Sequence, residues 1–280
     1  MLVEIAIGDA YGAGFEYVKP KVVESSNTLA AYLEHPKHRI GLGHYTDDTQ
    51  MSLAITEALL SERSFTRELL ADCFVNAFKR DPREGYAGGF FQFLSGVTDG
   101  ADFLARIRPD SDKSGAAMRA GPLGVIADVS ELIEKTTLQA RLTHDTRDGI
   151  NAAIAAALAV HFCIYEKGSL EEVGEFVTSH VEGQWHVPWT GKVGSKGWMS
   201  TRAAITALSR ATRMSDLLRD CVAFTGDVDT VAAIAMAAGS CCSALEQDLP
   251  RHLYDSLENG AWGRDELSRL DALLMARVRR

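Results

Sequence analysis

The sequence predicts an all-α fold in a single domain, and three observations carry that prediction. No stretch sustains the period-two alternation of a half-buried strand, whereas apolar residues recur at three- and four-residue spacing through much of the chain. Two segments, 147–165 and 231–238, are alanine-rich and apolar almost all round, which marks central buried helices. No linker or fixed-period repeat divides the 280 residues, which suffice for one large core spanning 1–280.

In chain order, residues 6–16 read as a short apolar helix that turns glycine-rich and finishes on Glu16, with Gly12 and Gly14 permitting close backbone approach. The polar stretch 17–44, with Pro20, Pro36 and Gly41-Leu42-Gly43, reads as a loop. Tyr45-Thr46-Asp47-Asp48-Thr49-Gln50 then opens an amphipathic helix whose apolar positions are Met51, Ala54, Ile55, Ala58 and Leu59. Thr46 or Asp47 is the expected cap. Another helix spans 65–79 and stops before Asp81-Pro82. Residues 85–94 combine turn glycines with aromatics and read as core packing in preference to a binding platform. Residues 111–119 form a small-residue turn opening a helix, a place where backbone N–H groups can hold a phosphate.

Thr143-His144-Asp145 precedes the long apolar helix, inside which His161 reads as a core histidine. His144 is either a ligand contact or a cap or surface residue. The longest irregular stretch of the second half is 182–199, where Trp185, Trp189 and Trp198 either fasten the loop to the helices or offer a stacking platform. Helices follow at 201–210, at 215–221 and from Asp265. Between them Gly226-Asp227-Val228-Asp229-Thr230 repeats the earlier acidic helix mouth. Capping a helix needs one carboxylate, and paired carboxylates concentrate more negative charge than a helix end neutralises. Two such mouths facing each other make a cage of hard oxygen ligands for Mg²⁺, Mn²⁺ or Ca²⁺.

A formal charge of −9 argues against a dedicated nucleic-acid surface. The basic cluster Arg277 to Arg280 reads as a solvated C-terminal helix end. Five cysteines without a C-x-x-C pair read as reduced, buried thiols. The first residues lack the basic start of a secretory signal, and the longest uninterrupted apolar run, 152–160, is too short for a bilayer. A cytoplasmic protein without a membrane role is the expectation.

With these pieces placed, the chain resembles the ADP-ribosylglycohydrolase family, which includes dinitrogenase reductase-activating glycohydrolases and ADP-ribosyl-acceptor hydrolases. The resemblance covers most of the chain. It rests on Gly8-Asp9-Ala10-Tyr11-Gly12 with Glu16, Thr46-Asp47-Asp48-Thr49, Ala116-Ala117-Met118-Arg119, Thr143-His144, and Gly226-Asp227-Val228-Asp229-Thr230. It implies a compact all-α fold with a cleft that holds two divalent cations, Mg²⁺ or Mn²⁺. Thr46, Asp47, Asp48, Asp227, Asp229 and Thr230 match the family's metal ligands, and Glu16 matches an acidic residue near the metals that influences substrate entry or catalysis. Two divalent ions nearly balance the five carboxylates of that set. The segment Ser111-Asp112-Lys113-Ser114-Gly115 matches the lining of the family's diphosphate and ribose site. There Lys113 and Ser114 replace a customary glycine and asparagine.

The implied function is metal-dependent hydrolysis of the glycosidic bond between ADP-ribose and an acceptor, in an ADP-ribosylated protein or an ADP-ribosyl small molecule. Glu16, Asp47 and Asp48 are the candidates for general acid or base. Ser111, Lys113, Ser114, Gly115 and His144 are the candidate substrate contacts. A binding protein that recognises ADP-ribose without turnover is the alternative from another class. An isoprenoid-type enzyme would need Asp-Asp-x-x-Asp, and residue 51 is Met.

Overall fold

A computed structural model of the chain describes residues 1–278 and is all-α, with isolated β-bridges in place of strands among the described residues. The first half comprises α1 (Leu2–Ala13), α2 (Pro20–Ser26), α3 (Asp47–Leu60), α4 (Arg67–Arg80), α5 (Gly88–Gly96), α6 (Gly100–Arg106), α7 (Gly115–Met118) and α8 (Val129–Arg141). The second half comprises α9 (Arg147–Ile164), α10 (Val173–His180), α11 (Gly197–Arg210), α12 (Met214–Ala223), α13 (Val228–Gly239), α14 (Arg251–Asp255) and α15 (Arg264–Met275). The two alanine-rich helices stand at the centre, as their all-round apolar character predicts. Helix α13 packs against α1, α9, α11 and α12, while α9 also meets α7 and α8. By length and composition α9 is apolar enough to cross a bilayer, but 78% of it is buried inside this fold.

Small residues let the central helices approach closely. A Cβ added at Gly12 would stand 2.5 Å from the Asp229 Cα, and one at Gly8 would stand 2.9 Å from the Ala232 carbonyl oxygen. These glycines therefore let α1 lie directly on the backbone of α13. That contact brings the end of α1, with Glu16 just beyond it, alongside the second acidic mouth.

Several local expectations need correction. The stretch 17–44 is not all loop, because Pro20 at the first position of α2 supplies a preset φ and needs no N–H partner there. Helices α6 and α8 were not anticipated; each is capped by an aspartate, Asp99 and Asp128, accepting from the backbone N–H three residues on. The loop read at 182–199 gives up its last residues to α11. Its tryptophans fasten it: Trp185 is buried, Trp189 and Trp198 meet edge to face at 5.7 Å, and the Trp189 backbone N–H donates to the Thr206 hydroxyl at 2.8 Å. Core packing holds for Tyr86 and Leu94, and the half-buried Phe90 and Phe93 pack against the core at its edge, where both rings meet the buried Phe103. Arg277 is exposed just past the end of α15, as expected, and its guanidinium also donates to the Leu59 and Leu60 carbonyls that close α3. Arg279 and Arg280 of that basic cluster lie outside the described residues. All five cysteines are free, with Cys73 and Cys241 half-buried.

The Gly12 contact generates a stability prediction. Gly12→Ala inserts a methyl where the backbone of α13 already stands, so it should lower unfolding free energy by about 1–3 kcal/mol through overpacking. Urea denaturation reads this as a lower midpoint at unchanged slope. An unchanged midpoint would mean that α1 moves off α13 freely.

Candidate metal centre and cleft

The site starts from a cap that one helix lends to another. Asp9, fully buried on α1, accepts from the Thr46 and Thr49 backbone N–H groups at 2.9 and 3.0 Å and from their hydroxyls at 2.7 and 2.6 Å. Thr46 occupies the N-cap position of α3 without capping it. The expected cap by Thr46 or Asp47 is thus replaced by Asp9, which takes up free N–H groups at the start of the helix. Burial pushes the Asp9 carboxyl above its ordinary range while these donors pull it back. The Asp48 side chain is buried beside this cap, with Oδ1 lacking any hydrogen-bond partner.

The second mouth is seated by left-handed backbone. Tyr17, Thr225 and Gly226 have φ of 52°, 63° and 96°. At Gly226 a Cβ would fall 1.9 Å from the Val193 carbonyl oxygen, so only glycine fits. Val193 N–H donates to the Thr225 carbonyl at 2.9 Å, Asp227 N–H to the Val193 carbonyl at 3.2 Å, and Tyr17 N–H to the Gly226 carbonyl at 2.9 Å. Asp227 consequently stands at the N-cap of α13, with Asp229 in its first turn. The Ser200 hydroxyl donates to Asp227 Oδ2 at 3.1 Å. Carboxylate oxygens of Glu16, Asp227 and Asp229 lie within 4.8 Å of one another.

Glu16 is held from the other side. His35 Nδ1 accepts the Lys37 and His38 backbone N–H groups, each at 3.0 Å, which places the ring proton on Nε2. That Nε2–H donates to Glu16 Oε2 at 2.8 Å.

Concentrated charge shows in the carboxyls. Burial, and then the Asp9 charge, pushes Asp47 up to about 8, while burial and Glu16 push Asp227 up to about 7. Asp48 and Asp229 are also raised, by burial first and then by Asp9 and Glu16 respectively. An orphaned buried carboxylate oxygen, a trio of carboxylates close enough to share an ion and strong mutual repulsion fit a cage for hard divalent cations. Thr46 is compatible with such a cage, because its hydroxyl hydrogen is committed to Asp9 and both lone pairs of its oxygen are left to face a cation.

Both mouths open on one cleft of about 600 Å³. Glu16, Asp47, Asp48, Asp227, Asp229 and Thr230 line it, together with Ser111, Lys113, Ser114, Gly115 and His144. Among the residues singled out from sequence, Thr46 alone is fully buried and outside the lining. His144 is neither a cap nor a surface residue, since Thr146 caps α9 and the imidazole is buried. The turn 111–115 opens a helix of only four residues, too short to add much dipole, so side chains must supply any anion contact there. Lys113 is exposed on the cleft, and its charge is felt by Asp227.

A family model described as ADP-ribosylglycohydrolase matches residues 1–280. The chain belongs to the ADP-ribosylglycohydrolase family. Among curated relatives of this chain, the ADP-ribosylhydrolase ARH3 of Mus musculus is 29% identical over 195 residues, covering 63% of this chain and 51% of that protein. The ADP-ribosylhydrolase ARH3 of Gallus gallus is 35% identical over 146 residues, 49% of this chain and 40% of that one. The ADP-ribosylarginine hydrolase Tri1 of Pseudomonas putida is 22% identical over 253 residues, 84% of this chain and 67% of that one. The match thus spans about half the length of the ARH3 proteins. A solved chain titled ADP-ribosylglycohydrolase-related protein complex superposes with a TM-score of 0.76 at 22% identity, covering 99% of this chain and 96% of that one, and so shares the fold.

Sequence reasoning placed Asp9 and Arg119 only within motifs and gave neither a task. Nothing in the sequence singles out His35; Phe90 and Phe93, which read there as core packing in preference to a binding platform, line the cleft. The aromatic spacing of α5 is the same for a core face and a cleft wall, whereas Asp9 carried a signal: an acidic residue inside an otherwise apolar helix needs buried donors.

Asp9→Asn turns one acceptor oxygen into an NH₂ group aimed at existing donors. It should cost about 2 kcal/mol or more, since charge-assisted bonds are lost and donors are left unpaired. Chemical denaturation would read this loss; a variant as stable as the parent would show that the cap is dispensable.

Proposed function

We propose that this ADP-ribosylglycohydrolase hydrolyses the glycosidic bond that joins ADP-ribose to an acceptor, with two divalent cations, Mg²⁺ or Mn²⁺, in its cleft. The observation that carries this is the convergence of both acidic helix mouths and Glu16 on one cleft large enough for a nucleotide sugar. The relatives support the substrate class, being named as hydrolases of ADP-ribosyl compounds. Thr46, Asp47, Asp48, Asp227, Asp229 and Thr230 would hold the ions. Bound there, the pair supplies Lewis acidity and a template for ribose hydroxyls and a water.

The chain's own groups do the rest. Glu16, oriented by the His35 Nε2–H, faces Asp227 and Asp229 and can hold or pass a proton at its free oxygen. Asp47 and Asp48 line the same cleft and are the other candidates for general acid or base. Ser111, Lys113 and Ser114 would contact the diphosphate, with Gly115 leaving room beside His144. Lys113 offers a point charge where the family commonly has a glycine.

Turnover with added Mg²⁺ or Mn²⁺ against ADP-ribosylated arginine, serine and nucleic-acid ends and small ADP-ribosyl compounds tests the reaction. Asp47→Ala and Asp229→Ala should each lower activity at limiting metal by about 100-fold or more, because one lost anionic ligand weakens a shared cage. Metal at 100 times its Kd should add about 2.7 kcal/mol to the parent's stability and less to either variant. Full activity in either variant, or a melting temperature indifferent to chelation, would reject the cage.

Lys113→Ala should raise KM for an ADP-ribosyl substrate by roughly 10- to 100-fold with kcat little changed, as loss of one charge-assisted hydrogen bond implies. An unchanged KM would make Lys113 a merely solvated rim residue.

A further inference from the structure

Three buried groups beside the cleft form a chain in which every proton can be placed. Arg119, only 1% exposed, sends Nε to Gln139 Oε1 at 2.7 Å, and Nη2 to the Gln139 carbonyl at 3.1 Å and to Thr143 Oγ1 at 2.8 Å. None of these partners is a carboxylate. The Phe74 ring lies under the guanidinium at 4.5 Å, and Gln139 is itself fixed by donating to the Ala116 carbonyl at 3.0 Å. Thr143 Oγ1 then lies 2.7 Å from His144 Nδ1.

A guanidinium only donates, so Thr143 Oγ1 accepts from Arg119. Its single hydrogen has Nδ1 as the acceptor in reach. With Nδ1 accepting, a neutral imidazole carries its proton on Nε2. The opposite tautomer would leave the Thr143 hydroxyl hydrogen without an acceptor in a buried position. Burial, and then the Arg119 charge, keeps the ring neutral by pushing its pKa down to about 3. Nε2 is buried without a partner, on a ring that lines the cleft next to Gly115. A Cβ at Gly115 would stand 3.3 Å from Nε2, so the glycine keeps the approach to that nitrogen open.

We infer that Arg119 and Thr143 are positioning residues that hold His144 as an Nε2–H donor for an acceptor oxygen of the ligand in the cleft. The identity of that ligand as an ADP-ribosyl compound rests on the proposed function. The proton placement does not. A diphosphate oxygen and a terminal-ribose hydroxyl are the two acceptors that such a ligand offers.

Imidazole ¹⁵N–¹H correlation spectra of the ligand-free protein test the placement. The expected result is a His144 protonated on Nε2 alone, and the same in Thr143→Ser. In Thr143→Val the hydroxyl is gone, so protonation at Nδ1 should appear, and Kd for ADP-ribose measured by calorimetry with Mg²⁺ should rise roughly tenfold. A purely structural threonine would lower the melting temperature without moving the tautomer. An Nδ1-protonated ring in the parent, or an unchanged tautomer in Thr143→Val, overturns the inference. If the valine variant fails to fold, the parent and serine spectra decide alone. ADP serves as a second ligand: a parallel loss for ADP assigns the acceptor to the diphosphate, and a loss confined to ADP-ribose assigns it to the terminal ribose. A parent that binds neither compound refutes the ADP-ribosyl ligand while the spectra still judge the positioning.

Discussion

A carboxylate buried among neutral donors, that of Asp9, ties the first acidic helix to the frame of the molecule. Its two oxygens collect two backbone N–H groups and two hydroxyls from the start of α3. Such a group is tolerable in a helix interior only if every lone pair is matched, so α3 has little freedom to slide or rotate against α1. Helix α1 in turn lies flush on α13 through Gly8 and Gly12. Two contacts of different kinds, one polar and one steric, thereby set the first acidic mouth against the second. The cleft geometry follows from that pairing.

Gathering so much negative charge works against stability, and the surrounding structure shows how it is contained. The central helices are rich in alanine and pack closely, which keeps the acidic residues on backbone that has few alternative positions. Residues with positive φ flank Asp227, and the bridge between Val193 and Gly226 pins the loop that carries them. His35 adds a neutral donor to Glu16 instead of a second fixed cation. A site prepared in this way leaves its excess charge for a ligand to neutralise, and rigid support from neighbouring groups is what the proposed metal-dependent reaction would require.

Another part of the lining has a different chemistry. Arg119 brings a guanidinium into the protein interior without a carboxylate, which is affordable because Gln139, Thr143 and the Phe74 face take up its donors and its charge. Phe90 and Phe93 add apolar surface to the same cleft, and Lys113 adds a cation on its rim. An acidic cage and a wall with donors and aromatic faces suit a ligand that carries sugar hydroxyls, phosphates and a base. The departures at Lys113 and Ser114 fall on the part of the wall that would distinguish one such ligand from another.

Helical periodicity, two alanine-rich segments and a pair of acidic helix mouths were legible in the sequence, because each is a local pattern fixed by neighbours a few residues apart. On that basis the all-α class and the acidic candidates could be named. Local pattern does not say which donor answers which acceptor across a hundred residues. Asp9 as the cap of α3, His35 behind Glu16, and the chain from Arg119 through Thr143 to His144 arise only when distant segments pack, since a buried polar group's role is defined by the partner that packing brings to it. The same limit applies to the aromatics of α5, which pack against the core and also line the cleft. An amphipathic helix shows which residues leave solvent, whereas tertiary structure decides whether the face they turn to is a filled core or the wall of a cleft.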